Sequence, residues 1–282
     1  MSARLLDGRD LASHLRRELH HRVERISDPE TARAPVLAIL RDRSSDTAAV
    51  YSSSLERAAR AIGVETRLVE GSHAAELEPI LAELNDDEQV AGIVIAQPFA
   101  DAAAGRRLVE HIDPAKDVDG ATPTNAGWLA RGEPAFVPAT ALAVIALLEA
   151  AEVEIAGRRA VIVGRSAVVG RPVASLLLAR DATVVVCHTA TRNLARETRG
   201  AEVLVAAAGV PGLIRPEMVN RSAVIVDCGI NAVDGRIVGD VDIERVAPVV
   251  SAISPVPGGV GPVTPMMVLR QTVESAERQA GG

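Results

Sequence analysis

The sequence predicts an α/β protein made of two α/β domains with a cleft between them. Two stretches alternate β-type and helical patterns, one over residues 36–96 and one from residue 159 onward. A segment rich in Pro, Gly, Asp and Thr separates them between Asp113 and Pro138. Repeated βα alternation is typical of parallel sheets covered by helices, and 48% hydrophobic residues are ample for two cores.

The first domain is predicted to open with an amphipathic helix, because apolar residues recur at helical spacing from Leu11 to Ile26. The pattern then continues with a strand at Val36–Leu40, a helix at Ala48–Ile62 stopped by Gly63, a strand at Thr66–Glu70, a helix at Ala74–Leu84 and a strand at Gly92–Ala96.

The second domain is predicted to restart the alternation at Arg159. Its predicted elements are a strand from Arg159, a helix at Val169–Ala179, a strand at Ala182–Cys187, a helix near Asn193–Thr198, and strands at Glu202–Gly209 and Ala223–Gly229. A last helical stretch from Thr264 to Ala280 is expected to pack back on the first domain. We therefore predict one α/β domain over residues 1–120, completed by a C-terminal helix at 264–282, and a Rossmann-like domain over 121–263.

Composition excludes several classes of function. A formal charge of -7 without a basic block makes nucleic acid an unsuitable partner. The longest apolar run, Ala139–Ala151, is shorter than the roughly 20 residues of a bilayer-spanning helix, and the N-terminus has no signal pattern, so we expect a cytoplasmic protein without a membrane partner. Cys187 and Cys228 each close a β-type run and are expected to be core thiols. We expect no metal site.

A glycine-rich turn joins a predicted strand to a predicted helix between Gly164 and Gly170. Backbone N–H groups at such a helix start can bind the pyrophosphate of a dinucleotide, aided by the helix dipole. The spacing is G-x5-G and not G-x-G-x-x-G, so a ligand-free βα turn is the alternative interpretation.

The end of the next strand favours NADP over NAD. NAD-binding folds usually place an acidic residue there to bind the ribose 2′-hydroxyl, whereas this strand ends in Cys187-His188-Thr189. Arg165 in the preceding turn carries a guanidinium suited to a 2′-phosphate. The alternatives are that Arg165 is a solvated side chain and that His188 is an ordinary buried histidine.

Several long motifs resemble the methylenetetrahydrofolate dehydrogenase/cyclohydrolase family. They are the stretches 113–127, 164–172, 187–189, 227–231, 238–241 and 255–264, which read DPAKDVDGATPTNAG, GRSAVVGRP, CHT, DCGIN, VGDV and PVPGGVGPVT. The resemblance covers nearly the whole chain. It implies a cytoplasmic homodimer that oxidises 5,10-methylenetetrahydrofolate with NADP and hydrolyses the methenyl product to 10-formyltetrahydrofolate.

The resemblance also implies roles for individual residues. Arg165, Ser166 and Thr189 are expected to face the 2′-phosphate, and Ile230 the nicotinamide half. Asp119 resembles the pterin-binding aspartate, whose carboxylate can accept the two parallel N–H donors of the pterin edge. The full expected sets are catalytic Tyr51, Gln97 and Asp119; substrate-binding Tyr51, Leu55, Gln97, Asp119, Pro257, Gly258 and Gly259; and cofactor-binding Thr140, Gly164, Arg165, Ser166, His188, Thr189 and Ile230.

The chain departs from the family at a critical position. The family has a lysine four residues after the tyrosine, credited with proton handling for hydrolysis, where this chain has Leu55. Ala48 stands where the family has a serine in the same motif. The family pattern P-C-T-P is replaced by Pro138-Ala139-Thr140-Ala141. A leucine side chain can neither give nor take a proton. Lys116 is the sole lysine in the chain, and the resemblance places it outside the catalytic role.

These departures lead to one leading prediction and two alternatives. We expect NADP-dependent oxidation of 5,10-methylenetetrahydrofolate with little cyclohydrolase activity, because hydration needs general acid/base catalysis whereas hydride transfer depends more on positioning. The alternatives are a paralogue redirected to another one-carbon or imine-like reaction, and a non-catalytic protein that binds NADP and folate. Tyr51, Gln97 and Asp119 argue against loss of catalysis.

Overall fold

The computed structural model describes residues 3–27 and 34–281. It divides into two compact units. The first unit comprises Ser13–Val137 and Pro265–Gly282, and the second unit comprises Met1–Ala12 and Pro138–Thr264. Each unit is therefore assembled from two separate segments of the chain.

Helices and strands follow one another in both units as the alternation predicts. In chain order they are β1 (Arg4–Leu5), α1 (Gly8–Ile26), β2 (Val36–Asp42), α2 (Asp46–Arg60), β3 (Glu65–Gly71), α3 (Ala74–Asp86), β4 (Val90–Ala96), α4 (Ala102–Glu110), α5 (Pro123–Arg131), α6 (Ala139–Ala150), β5 (Arg159–Val163), α7 (Gly170–Leu178), β6 (Thr183–Cys187), α8 (Leu194–Arg199), β7 (Val203–Ala206), β8 (Val224–Asp227), β9 (Asn231–Val233), β10 (Arg236–Val238), α9 (Ile243–Val246), β11 (Ala252–Ile253) and α10 (Val260–Gly281).

The first unit has a three-stranded parallel sheet in the order β3-β2-β4. Val36, Ala38 and Leu40 of β2 pack with α3 and α4 in one hydrophobic core. Because side chains alternate along a strand, Leu37 and Ile39 lie on the opposite face. All these β2 residues are buried, so the sheet is covered on both faces.

The second unit has a six-stranded sheet in the order β1-β11-β8-β7-β5-β6, with every neighbouring pair parallel. The carboxyl ends of β5, β6, β7 and β8 therefore meet at one edge of the sheet. A separate antiparallel hairpin is formed by β9 and β10. This parallel, helix-connected sheet is the predicted Rossmann-like architecture.

The division between units differs from the predicted boundary after residue 120. Residues 121–137 belong to the first unit, where the Asn125 amide donates to Asp117 and the Val137 N–H donates to Gln271 of α10. The N-terminal segment belongs to the second unit because β1 pairs with β11. Short strands of this kind have no pattern of their own in the sequence.

The start of α10, the two cysteines and the apolarity of the helices bear on three other expectations. Helix α10 begins at Val260, four residues before the predicted start at Thr264. Cys187 is buried and Cys228 is half-buried, and both are free thiols. Within residues 3–27 and 34–281, no helix has the length and apolarity that a membrane crossing requires.

Candidate functional site

The turn after β5 brings its two glycines into close backbone contact. A Cβ on Gly164 would lie 2.0 Å from the Ala207 carbonyl oxygen, and Gly164 has a φ of +130°. A Cβ on Gly170 would lie 2.2 Å from the Gly164 carbonyl oxygen. Only glycine fits at either position, so these residues let the backbone of the turn pack closely against Ala207 and against itself.

Ser166 organises this turn from within. Its Oγ accepts hydrogen bonds from the N–H groups of Val169 at 3.1 Å and Gly170 at 3.4 Å. Two of the N–H groups at the start of α7 are thus directed at Ser166. The neighbouring Arg165 is exposed, and its carbonyl oxygen accepts from Arg171 Nε at 3.2 Å. The Arg165 guanidinium is therefore open to an anionic group.

The end of β6 lies beside this turn, since Val163 is in register with Cys187. His188 is half-buried and shapes the following loop: its N–H donates to Thr191 Oγ1 at 2.9 Å, and its Nδ1 accepts from the Ala190 N–H at 3.2 Å. Thr189 is exposed. The structure thus gathers Gly164, Arg165, Ser166, His188 and Thr189 at one edge of the sheet.

The remaining predicted cofactor residues lie elsewhere in the second unit. Ile230 follows β8, two strands away from β5, and is 74% exposed. Thr140 is half-buried in the first turn of α6.

Two buried aspartates hold the loops at this sheet edge, and sequence reasoning did not identify them. The Asp240 carboxylate accepts from the N–H groups of Ala208, Gly209 and Val210 and from the Asn231 side chain. Asp227 in turn accepts from the N–H groups of Gly229, Asp240 and Val241. Burial raises the pKa of Asp227 to about 6, and the charge of Asp240 adds to the rise, although backbone hydrogen bonds oppose it.

The Pro257-Gly258-Gly259 turn packs against the start of α1. Gly258 has a φ of +116°, and its carbonyl accepts from the Gly8 N–H at 2.8 Å. A Cβ on Gly258 would lie 2.8 Å from the Arg9 guanidinium carbon. The turn therefore favours glycine at this position because of its positive φ, whereas the flexible Arg9 side chain can move away from a Cβ.

In the first unit, Tyr51 and Asp119 lie near one another. Tyr51 is half-buried on α2, whose N-terminus is capped by Ser45. Burial raises the pKa of Tyr51 well above its ordinary value, and the negative charge of the half-buried Asp119 raises it further. The Tyr51 hydroxyl consequently stays protonated at neutral pH and can donate a hydrogen bond.

Leu55 belongs to the core-facing stripe of α2, together with Ala48, Ser52 and Ala59. It is completely buried. The side chain therefore contributes apolar packing and presents no polar atom at the position predicted to contact substrate.

Gln97 follows β4 directly and is exposed, next to a cis peptide bond to Pro98. Phe99 is buried in the core with α3 and α4, which anchors the loop. The Ala100 N–H donates to Asp42 at 2.8 Å. Because Arg41 and Ala96 are in register, Gln97 emerges beside the end of β2, from which the chain continues into α2.

Asp117 holds the loop that carries Asp119. Its carboxylate accepts from the N–H groups of Ala121 and Thr122 and from the Asn125 amide. It is completely buried, and burial raises its pKa against the effect of these hydrogen bonds. Sequence reasoning identified Asp119 but missed Asp117, although both lie in the same motif.

Lys116 caps the end of α3. Its Nζ donates to the carbonyl oxygens of Leu84, Asn85 and Asp87 at 3.2, 2.6 and 2.8 Å. An ammonium group has three donors, and all three are occupied. This arrangement agrees with the interpretation that Lys116 lies outside the catalytic role.

Metal-ligand geometry is not found in the part of the chain described by the structure, where no group of three or more His, Cys, Asp or Glu side chains is arranged to hold an ion. The candidate site residues of the two units offer backbone N–H groups, hydroxyls, carboxylates, an amide and a guanidinium. These groups are suited to binding and orienting organic ligands.

The chain matches two family models that together span most of its length. Residues 6–119 match the model described as "Tetrahydrofolate dehydrogenase/cyclohydrolase, catalytic domain". Residues 138–280 match the model described as "Tetrahydrofolate dehydrogenase/cyclohydrolase, NAD(P)-binding domain". The first match includes Tyr51, Gln97 and Asp119, and the second includes Arg165 and Thr189.

Individual relatives are similar over their full lengths. The bifunctional protein FolD of Herpetosiphon aurantiacus is 42% identical over 99% of each chain, and that of Chloroflexus aggregans is 41% identical over 100% of each chain. Among solved structures, the methylenetetrahydrofolate dehydrogenase/cyclohydrolase from Campylobacter jejuni aligns with a TM-score of 0.94 at 38% identity, covering 98% of this chain and 99% of that one. A Trypanosoma brucei homologue complexed with NADP and an inhibitor aligns with a TM-score of 0.93 at 35% identity, covering 99% and 98%. The chain belongs to the tetrahydrofolate dehydrogenase/cyclohydrolase family.

Proposed function

We propose that this protein catalyses the NADP-dependent oxidation of 5,10-methylenetetrahydrofolate to 5,10-methenyltetrahydrofolate. The observation that carries the proposal is the presence in one chain of two candidate sites, one in each unit. One lies at the ends of β5 and β6, which carry no acidic residue, and has the exposed Arg165. The other is the Tyr51 and Asp119 pair with Gln97 nearby in the fold. Solved relatives named as methylenetetrahydrofolate dehydrogenase/cyclohydrolases support the same substrate class.

NADP fits the residues at the ends of β5 and β6. Gly164 and Gly170 allow the tight turn between β5 and α7 that a dinucleotide site of this fold uses. Arg165, Ser166 and Thr189 offer a guanidinium and two hydroxyls, and neither strand end carries an acidic group that would repel a 2′-phosphate.

Hydride transfer requires the protein mainly to position the reacting groups. When bound, NADP would supply the hydride acceptor, so oxidation of the methylene carbon to the methenyl cation with formation of NADPH would require no proton transfer. Asp119 can hold the pterin edge through two parallel hydrogen bonds, and Tyr51 can donate one from its protonated hydroxyl. Holding the reacting carbon in place is the principal contribution expected of these side chains.

Hydrolysis of the methenyl product is proposed to be slow. That step needs a group that activates water and delivers a proton, typically worth about 10² to 10⁴ in rate. Leu55 carries no such group, all three donors of Lys116 are occupied, and the high pKa of Tyr51 makes it a poor base. The chain is then a paralogue specialised for the oxidation step.

A spectrophotometric assay with Leu55→Lys as the test variant examines both halves of the proposal. Wild type should form NADPH from 5,10-methylenetetrahydrofolate and accumulate the methenyl product. Leu55→Lys should accelerate methenyl hydrolysis by about tenfold or more, and Leu55→Met, a volume-conserving control, should not. Wild-type hydrolysis as fast as oxidation would contradict the specialisation. Tetrahydrofolate binding without NADPH formation would favour a redirected substrate or a non-catalytic protein.

We further propose that the protein acts as a cytoplasmic homodimer, as the family resemblance implies. In the described residues, β6 pairs only with β5 and so leaves one strand edge free. Val186 of β6 is exposed. Exposed apolar strand edges favour pairing with another chain. Sedimentation tests the homodimer: wild type should sediment as a dimer, and Val186→Lys should weaken the dimer. A monomeric wild type would exclude the homodimer.

A further inference from the structure

Asp42 is a buried carboxylate at the carboxyl end of β2 and has no cation among its hydrogen-bond partners. It is 2% exposed. Its Oδ1 accepts from the Ser44 N–H at 2.9 Å and from the Ser44 hydroxyl at 2.6 Å, and its Oδ2 accepts from the Ala100 N–H at 2.8 Å. The two oxygens thus bind two different loops.

One of these loops leads into the helix that carries Tyr51. The Ser45 N–H donates to the Asp42 carbonyl at 3.2 Å, and the Ser45 hydroxyl caps α2 by accepting from the Ala48 N–H. The Asp42–Ser44 hydrogen bonds therefore set the turn from which α2 starts. Tyr51 lies in the second turn of that helix.

The other loop carries Gln97. Phe99 anchors it in the core. Asp101 follows the loop and caps α4 by accepting from the N–H groups of Ala103 and Ala104. A cavity of about 300 Å³ lies against this loop, lined in part by Asp42, Phe99 and Ala100. The Asp42–Ala100 hydrogen bond therefore adds a polar restraint on the position of this loop to the packing of Phe99.

We infer that Asp42 is a positioning residue, which fixes the Gln97 loop relative to the Tyr51 helix and so aligns the groups that contact folate. This inference rests on the proposed function. A carboxylate suits this position because both of its oxygens can accept hydrogen bonds, one from Ser44 and the other from the Ala100 N–H. An asparagine of the same shape would present an NH₂ group to one of these N–H donors.

The test compares Asp42→Asn with Asp101→Ala in steady-state oxidation of 5,10-methylenetetrahydrofolate. Asp101→Ala removes the α4 cap at the end of the same loop and leaves the Asp42–Ala100 hydrogen bond in place, so it should lower stability and change kcat by less than about twofold. Asp42→Asn should lower kcat by about tenfold to a hundredfold, as expected for misplacement by a fraction of an ångström to one ångström, with KM for NADP unchanged. Ser44→Ala, which keeps the link to Ala100, should fall between them.

The inference is overturned if Asp42→Asn retains wild-type kcat, or if Asp101→Ala loses as much kcat as Asp42→Asn. A wild type that forms no NADPH would refute the proposed function. The Asp42 inference would then be tested by a separate measurement, the affinity for tetrahydrofolate determined by calorimetry. Weakening of that affinity by about fivefold or more in Asp42→Asn, but not in Asp101→Ala, would support the inference. Equal affinities, or no tetrahydrofolate binding by wild type, would refute it.

Discussion

At the residue scale, Asp227 makes the second unit sensitive to pH. Burial raises its pKa from 3.8 to about 6, so the folded state holds this proton more tightly than the unfolded chain does. Between about pH 4 and pH 6 the unfolded chain has lost the proton and the folded protein retains it. The contribution of Asp227 to the free energy of unfolding therefore falls as pH rises through this window, and is constant above it.

Asp227→Asn tests this behaviour, because asparagine resembles the protonated acid. The free energy of unfolding of wild type minus that of the variant should decrease between about pH 4 and pH 6. At about 1.4 kcal/mol per pKa unit, the decrease is at most about 3 kcal/mol. Chemical denaturation followed by circular dichroism measures it. A difference that does not vary with pH would show that Asp227 titrates as in the unfolded chain.

Single residues also mark the limit of sequence reasoning. The glycine turn and Arg165 were recognisable because they stand in a strand–turn–helix context. Asp42 and Asp240 were not identified as loop anchors, because the N–H groups that they bind are distant in sequence, at positions such as 100 and 208. A carboxylate that organises a remote loop has no local sequence signature.

At the element scale, the end of α3 depends on Lys116. Lys116→Met keeps most of the side-chain stem and removes three charged hydrogen bonds to backbone carbonyls. Such bonds are typically worth about 1.5–3 kcal/mol each and are not additive, so we expect a loss of about 2–4 kcal/mol in the free energy of unfolding of the first unit. Fluorescence of Trp128, the sole tryptophan, reports this unit.

Arg131→Met provides a matched control for Lys116→Met. Arg131 is a cation whose side chain is 73% exposed and whose ion pair is with nearby Glu133. Removing such a pair should change the free energy of unfolding by less than about 1 kcal/mol. Similar losses in the two variants would mean that the cap contributes no more than a surface ion pair.

The predicted elements that succeeded are those with a strong pattern of their own. Strands β2 and β4 are continuous apolar runs, and α2 has a clear amphipathic period. Strands β1 and β11 have two residues each and exist through their pairing with neighbours. The β9–β10 hairpin did have a local signal that was overlooked, since Asp234-Gly235 adopts positive φ at both residues, as tight hairpin turns require.

At the scale of the whole molecule, the first unit is completed by a segment distant in sequence. Gln271 of α10 is 3% exposed. Its Oε1 accepts from the Val137 N–H, and its Nε2 donates to the carbonyls of Val118 and Val137. The loop containing Asp119 is therefore held directly by the C-terminal helix. The sequence pattern alone predicted this helix but contained no indication of these contacts.

Gln271→Leu should lower the free energy of unfolding reported by Trp128 by about 2–4 kcal/mol, because three buried backbone groups lose their partners. Gln279→Leu is the control on the same helix, where one amide donates to the Val90 carbonyl at 3.4 Å. It should cost less than about 1 kcal/mol. Affinity for NADP, which depends on the second unit, should be the same in both variants. Equal destabilisation by the two substitutions would argue against a special role for Gln271.

The burial of Lys116 gives the protein a natural reporter of local opening. It is the sole lysine in the chain and is 7% exposed, so the folded protein presents almost no side-chain amine to solvent. An acylating reagent can modify its Nζ only after the end of α3 has released it. The rate of side-chain acylation, followed by mass spectrometry, would therefore measure how often this part of the first unit opens, without any engineered label.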